Sequence, residues 1–504
     1  MHGQTSHHQK GSPSPADQRP QDSYVPRRPE DTTLYQVVQE NWETFREGAE
    51  ANGGQLPHYV RREFESYLGC GILANGFLRL KCDSCEHEKL VPFSCKRRGF
   101  CPSCCGRRMS ESAAFFVDHI LPEVPIRQWV LSTPMPLRFW MARNPRLLSE
   151  VLTIVIRVIS GFYRLNGKGK PIPATQTGSI TLVQRFGGSC NLNIHFHSLF
   201  IEGSYEKKGE EVVFRPSPLL TDDDVQLVLA KIQVKVMRLL KKRGLISQEE
   251  VEGPAEVGEG DQSLLDACVG ASVQSKIALG ERAGGRVRKL GSFGEAGEMP
   301  MGDGPLCATL GGFSLHAAVA TRAHERERLE QLCRYITRPP IAESRLSLSP
   351  DGNIVYRLKK QWGDGTQAVL FSPTEFIEKL TALIPQPRIH ITRFHGVLAP
   401  NASLRSIVIP NPSPVKRSAS QAGDESKSDK KSRDPRRLSW AELLKRVFQI
   451  DVTVCPDCGG ALNFIATIME RKVVVRILDH LKLPSEAPRR FAARAPPQSA
   501  FDFH

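Results

Sequence analysis

An α+β fold is predicted, with a cysteine-rich N-terminal module followed by a split βαββαβ antiparallel sheet, and three observations predict it. Leu192 to Ile201 reads as a strand that places His195 and His197 on one face and Leu192, Ile194 and Phe196 on the other. Strand-like and helix-like stretches then alternate in the order strand, helix, strand, strand, helix, strand, helix. Two Cys-x2-Cys pairs, Cys82/Cys85 and Cys101/Cys104, stand fifteen residues apart ahead of that series.

Arg107 to Leu121 has helical character and Gln128 to Ser132 is a short apolar strand. Pro145 to Tyr163 carries Leu148, Val151, Leu152, Val155 and Ile156 at helical spacing. Ser179 to Phe186 and Leu192 to Ile201 flank Gly187-Gly188-Ser189, a tight-turn signal that makes them an antiparallel hairpin. Thr221 followed by three aspartates offers an N-cap and a negative first turn to a helix reaching about Lys242. Gly312 to Ala320 can form the next strand, and Arg322 to Thr337 a helix stopped by Pro339-Pro340. Five regions follow: a disordered tail (1–31), a helix with the cysteine module (32–122), the sheet domain (123–409) with a Gly-rich insertion at about 253–312, a linker (410–437), and a C-terminal segment (438–504).

At 504 residues the chain is long enough for two or three domains. Its most apolar stretch, Val151 to Phe162, is short and broken by Arg157, so no membrane association is expected; a cytoplasmic, bacterial, nucleoid-associated location is. The thirteen cysteines then read as thiols or metal ligands. With 68 Lys and Arg against 54 Asp and Glu, the formal charge is +14, which suits a polyanionic partner such as nucleic acid.

Four thiolates make a closed tetrahedral zinc site, so Cys82, Cys85, Cys101 and Cys104 are the expected Zn²⁺ ligands, with Cys95, Cys70 and Cys105 close enough to be alternatives. The interleaved Lys96-Arg97-Arg98, with Arg107 and Arg108 beyond, would offer a basic surface to a DNA backbone. A third pair, Cys455 and Cys458 in Cys-Pro-Asp-Cys-Gly-Gly, has no second pair beside it; His480 or another chain could complete a site.

His195 and His197 can bind a divalent ion, or be two ordinary half-buried histidines. The hairpin register brings Gln184 next to His195, and its oxygen suits Mg²⁺ or Mn²⁺. On a basic protein such an ion suggests phosphodiester chemistry, which needs a nucleophile. Tyr335 is the candidate: Leu329, Leu332, Cys333 and Ile336 form the buried stripe of its helix, leaving Arg328, Gln331 and Tyr335 on a polar face, while Arg334 and Arg338 could hold a phosphate.

Several motifs together resemble a known family. Arg185-Phe186-Gly187-Gly188-Ser189 with His195-Phe196-His197, the module ending Ser94-Cys95-Lys96-Arg97-Arg98-Gly99-Phe100-Cys101-Pro102-Ser103-Cys104, Cys333-Arg334-Tyr335 with Arg338-Pro339-Pro340, and His395-Gly396-Val397-Leu398-Ala399-Pro400-Asn401 are similar to the rolling-circle HUH transposases with an N-terminal zinc-binding domain. The likeness runs from about residue 35 to 475. It implies an HUH nuclease in which His195 and His197 carry the metal and Tyr335 attacks DNA. Some members have a second tyrosine four residues on, where this chain has Pro339, so it resembles the single-tyrosine subgroup of the insertion-sequence common region type. The implied partners are single-stranded or hairpin DNA at the element ends, target DNA and the host replication machinery. Two alternatives remain: a non-catalytic zinc-dependent DNA-binding protein, and a plasmid rolling-circle replication initiator or relaxase.

Overall fold

The computed structural model describes residues 28–51, 54–165, 169–246, 263–291, 304–410, 438–448 and 451–494. Almost all of the expected tail and linker, and parts of the Gly-rich insertion, lie outside the described residues. The described residues divide into two compact units, one holding those within Leu73–Phe93 and Leu438–Ser485, the other those within residues 28–72, 94–410 and 486–494. The stretch 32–122 is therefore shared between the units.

The larger unit is mixed α+β. Its central elements are α1 (Pro102–His119), β1 (Ile126–Ser132), α2 (Pro145–Phe162), β2 (Gly178–Phe186), β3 (Leu192–Ile201), α3 (Asp222–Lys242), β4 (Phe313–His316), α4 (Arg326–Ile336) and β5 (Thr392–Gly396). The sheet runs β4, β1, β3, β2, β5, with Cys307–Leu310 added outside β4, and every pairing is antiparallel. Its four inner strands thus lie in the chain order fourth, first, third, second.

Strand alternation gives the sheet two different faces. On one, Ile180, Leu182, Leu199 and Ile201 pack with Phe116 and Val117 of α1 and with Leu329, Leu332, Cys333 and Ile336 of α4. Each such buried aliphatic side chain contributes about 1.5–3 kcal/mol, enough to hold α4 at a fixed rotation. On the other face the Trp129 indole N–H donates to the Tyr163 hydroxyl at 2.9 Å, and the Tyr163 ring stacks on Phe200 with centroids 5.7 Å apart.

Local chemistry explains the borders. Asn144 caps α2 by accepting from the N–H groups of Arg146 and Leu147, and Thr221 and Asp224 form a capping box at the start of α3. The hairpin between β2 and β3 is wider than a two-residue turn: Gly187 N–H donates to Asn191 C=O, and Cys190 takes a φ of +59°. The expected Gly-rich insertion holds a helix, Leu264–Val273, because Leu264, Cys268, Val269 and Val273 recur on one side and are buried. A second small sheet joins Leu346–Leu348, Ile354–Arg357, Ala368–Phe371 and Arg288–Leu290.

In the smaller unit Leu462–Ile468, Phe77–Cys82 and Glu88–Pro92 form a three-stranded antiparallel sheet. Its core is small: Phe77, Val474 and Leu478, flanked by Leu73, Leu90, Ile468 and Ile477. Among the described residues no helix is long and apolar enough to cross a membrane.

Candidate active site and metal centres

His195 and His197 project from β3 on the face that α4 covers, and both are buried. Their ring centroids lie 4.8 Å apart. His195 Nδ1 is 2.8 Å from the Asn193 carbonyl oxygen, which can only accept, so Nδ1 carries the proton and Nε2 presents a lone pair. Nε2 of Gln128 on β1 is placed 2.7 Å from His197 Nδ1, where it donates to the ring; exchanging the amide oxygen and nitrogen puts an acceptor there instead and gives His197 the same tautomer as His195. His197 Nε2 is buried with no hydrogen-bond partner. Burial lowers the His195 imidazole to about 4, and the charges of Arg338 and Arg138 push the same way. Burial likewise holds His197 well below its ordinary value, followed by the effects of His195 and Arg338. Both rings are therefore neutral, the form a metal needs.

Gln184 pairs with His195 across β2 and β3. Its Nε2 donates to the Ile336 carbonyl at 3.1 Å, which turns Oε1 the other way, and that oxygen is buried without a partner. Two orphaned buried atoms, His197 Nε2 and Gln184 Oε1, stand beside the His195 lone pair, and with the His197 proton on Nδ1 the three make a donor set suited to a hard or borderline divalent cation.

Tyr335 sits one residue before the Ile336 that Gln184 holds. Its ring centroid is 6.2 Å from that of His197 and edge-on to it. Tyr335 is 41% exposed, so a substrate can reach it from solvent. The Arg338 guanidinium lies 4.4 Å and the Lys359 ammonium 4.9 Å from its centroid. Arg338 also lies 5.3 Å from the Phe186 ring centroid. Gln128 and Lys359 were not among the sequence candidates. The hydrophobic pattern gives Gln128 no distinction, and Lys359 follows a strand 24 positions after Tyr335. Arg334 pairs with the buried Glu330 one helical turn back.

The cysteines form two groups of four, and neither is the expected set. Cys70, Cys95, Cys101 and Cys104 come together in the larger unit, while Cys82 and Cys85 meet Cys455 and Cys458 in the smaller. Strand Phe77–Cys82 ends by carrying its pair to the Cys455 turn, whereas the next pair opens α1, so the two neighbours in sequence part in space. In the first group the sulfurs of Cys70 lie 3.7 Å from those of Cys101 and Cys104, and those of Cys95 and Cys104 lie 3.4 Å apart. A tetrahedral Zn–S bond of about 2.3 Å sets ligand sulfurs about 3.8 Å apart, whereas a disulfide needs about 2.05 Å. Cys101 caps α1 and Cys104 lies in its first turn, where the helix dipole favours thiolates.

Residues 37–133 match the family described as "Transposase zinc-binding domain", and residues 178–405 match the one described as "Putative transposase". The chain carries a zinc-binding transposase module and a transposase domain. No curated protein and no solved structure matches it. The transposase match spans the histidines, Gln184, Tyr335 and β5, and a transposase has DNA as its partner. The zinc-binding match contains the whole first cysteine group but neither Cys455 nor Cys458.

Inside the zinc-binding module the basic loop is braced by its own side chains. Arg98 donates to the Ile389 carbonyl, Arg97 to Ser66, and Arg108 to the carbonyls of Lys96 and Arg97. Phe100 is buried against Phe64 and Tyr67, and the Gly99 N–H donates to the buried Glu63 at 2.7 Å. A Cβ at Gly99 would meet that carboxylate at 2.5 Å, which accounts for the glycine. Lys96 is the exposed member of the run. His395, singled out with the motif on β5, pairs with Ser179 and so lies towards the far end of the sheet from His195.

Proposed function

We propose that this chain is an HUH-type single-strand DNA transposase that cleaves and rejoins element ends through a 5′-phosphotyrosine on Tyr335. The observation that carries the reading is the approach of Tyr335 to His197 on a helix tied to the sheet by Gln184. The chain order fourth, first, third, second of the inner strands, with the two histidines on the third, supports the same reading. His195, His197 and Gln184 would hold Mg²⁺ or Mn²⁺, which polarises a phosphoryl oxygen and offsets transition-state charge when bound.

Arg338 and Lys359, both against the Tyr335 ring, draw a DNA phosphate towards the phenol. The Tyr335 hydroxyl oxygen attacks phosphorus as its proton leaves, and the bond to the 3′ oxygen breaks, that oxygen gaining a proton. The phosphotyrosine keeps the phosphoester bond energy for strand joining without a nucleotide cofactor. The free 3′-OH can prime host replication and give one-ended transfer. Pro339 stands four residues after Tyr335, so one tyrosine serves each active site. Lys96, Arg97, Arg98, Arg107 and Arg108 in the zinc-binding module would contact the DNA backbone.

Labelled single-stranded element ends incubated with the protein and Mn²⁺ test the chemistry. The wild type should yield a covalent protein–DNA adduct that Tyr335→Phe abolishes. An absent wild-type adduct, or an equal one from the variant, leaves only zinc-dependent DNA binding.

A further inference from the structure

We propose that Cys82, Cys85, Cys455 and Cys458 form a second Zn²⁺ site, which fastens the C-terminal segment to the N-terminal hairpin. The four sulfurs lie within 4.8 Å of one another, with Cys82 and Cys458 at 3.4 Å and Cys85 and Cys455 at 3.5 Å. These separations are close to those of the first group and too long for disulfides. Nothing in the two family matches assigns this site, because half of its ligands lie beyond residue 405.

Each pair sits in a turn built to present two thiolates. Glu86 adopts a φ of +62° and its N–H donates to the Cys82 carbonyl, closing the first turn just beyond Cys85. In the second, Gly459 at φ +73° donates to the Cys455 carbonyl, Cys455 donates to the Gly460 carbonyl, and the Gly460 N–H lies 3.4 Å from Cys458 Sγ. That last N–H stabilises thiolate charge as an outer-shell donor. A Cβ on Gly460 would come within 3.0 Å of Cys82 Sγ and 2.7 Å of Ser84 Oγ, so the close approach of the two turns requires glycine. His87 Nδ1 lies 2.7 Å from Asp457, a further tie between them.

Strand pairing places the turns at one end of the sheet, with Cys82 opposite Leu462. The clusters of Phe77, Val474 and Leu478 and of Cys82, Cys455 and Leu462 are small cores for such a unit, the situation in which a structural metal supplies folding free energy. The site is closed, with four thiolates and no open position, so its role is structural. It joins segments 370 residues apart in sequence.

The full chain, purified reduced and reloaded with Co²⁺, tests this, because the near-ultraviolet charge-transfer band reports thiolate ligands and not the histidine face. Cys455→Ser with Cys458→Ser should halve the band and remove one Zn²⁺ per chain. Cys85→His should keep the zinc count and shift the cobalt spectrum, which separates lost ligation from misfolding. A protease site placed within residues 411–437 gives a second measurement: after cleavage the C-terminal fragment should co-elute with the rest until a strong zinc chelator releases it. An unchanged band and zinc count in the double serine variant would overturn the site. So would co-elution indifferent to chelator.

Discussion

The histidine face and the cysteine groups solve opposite problems with metal-binding side chains. Each cysteine group gathers four thiolates from turns or a helix start, which fills a tetrahedral shell and leaves no place for a substrate. The face around His195, His197 and Gln184 offers three donors from a rigid sheet and stands beside an exposed tyrosine. A closed shell suits holding a fold together; an incomplete one suits chemistry. The two kinds of site should therefore fail in different ways when their ligands are removed.

The largest effect is expected in the first cysteine group. Cys101→Ser with Cys104→Ser removes two ligands at the start of α1, the helix whose Phe116 and Val117 pack beneath the sheet. Structural zinc supplies about 10–16 kcal/mol in zinc-finger peptides, comparable with the roughly 5–15 kcal/mol stability of a whole domain. Hydrogen exchange should show residues 94–119 unprotected, with adduct formation lost as a consequence. His195→Ala with His197→Ala should also lose the adduct but keep that protection. If both double variants retain the same protection, the division into structural and chemical sites is wrong.

The sheet was legible because its signals are local. The alternation in Leu192 to Ile201, the caps at Thr221 and the buried stripe of Leu329, Leu332, Cys333 and Ile336 each depend on neighbours in sequence. The register that sets Gln184 opposite His195 follows from the hairpin in the same way. The cysteine partnership was not legible, since Cys82 and Cys101 are near in sequence while the sulfur that lies 3.4 Å from that of Cys82 belongs to Cys458. Spacing favours the nearest pair, and only the pairing of Phe77–Cys82 with Leu462–Ile468 overrides it. Lys359 and Gln128 are also contacts made by the fold, carrying no pattern of their own. The surroundings of the basic run 96–98 were not legible either, because charge does not reveal that Arg98 donates to the Ile389 carbonyl and Arg97 to the Ser66 hydroxyl.

An intermediate effect is expected at Gln184, which joins the two parts of the candidate active site. Gln184→Ala deletes the orphaned Oε1 and the bond to Ile336. The lost hydrogen bond costs about 1 kcal/mol, so the fold should survive. Adduct formation at low Mn²⁺ should fall by at least the roughly 10- to 100-fold seen for metal-site support residues, and high Mn²⁺ should restore most of it. Normal cleavage at low Mn²⁺ would remove Gln184 from the donor set. Reduced cleavage with unchanged Mn²⁺ dependence would make it a tether for Tyr335 alone.

The smallest effect is expected at Gln128, which touches His197 and no reacting group. As a positioning residue it sets the tautomer: an acceptor opposite Nδ1 keeps the proton there and frees Nε2 for a metal. Gln128→Ala should weaken the Mn²⁺ dependence of adduct formation by about 10-fold, the low end of outer-shell effects. Gln128→Glu puts an oxygen acceptor opposite Nδ1 whichever way the amide is turned, and should retain wild-type Mn²⁺ dependence or tighten it. A purely structural glutamine would give the opposite order, because a buried carboxylate disturbs packing more than a small cavity does. If the glutamate variant falls as far as the alanine variant, Nδ1 accepts from the amide instead. His197 Nε2 would then carry the proton, and the histidine face would lose one of its donors.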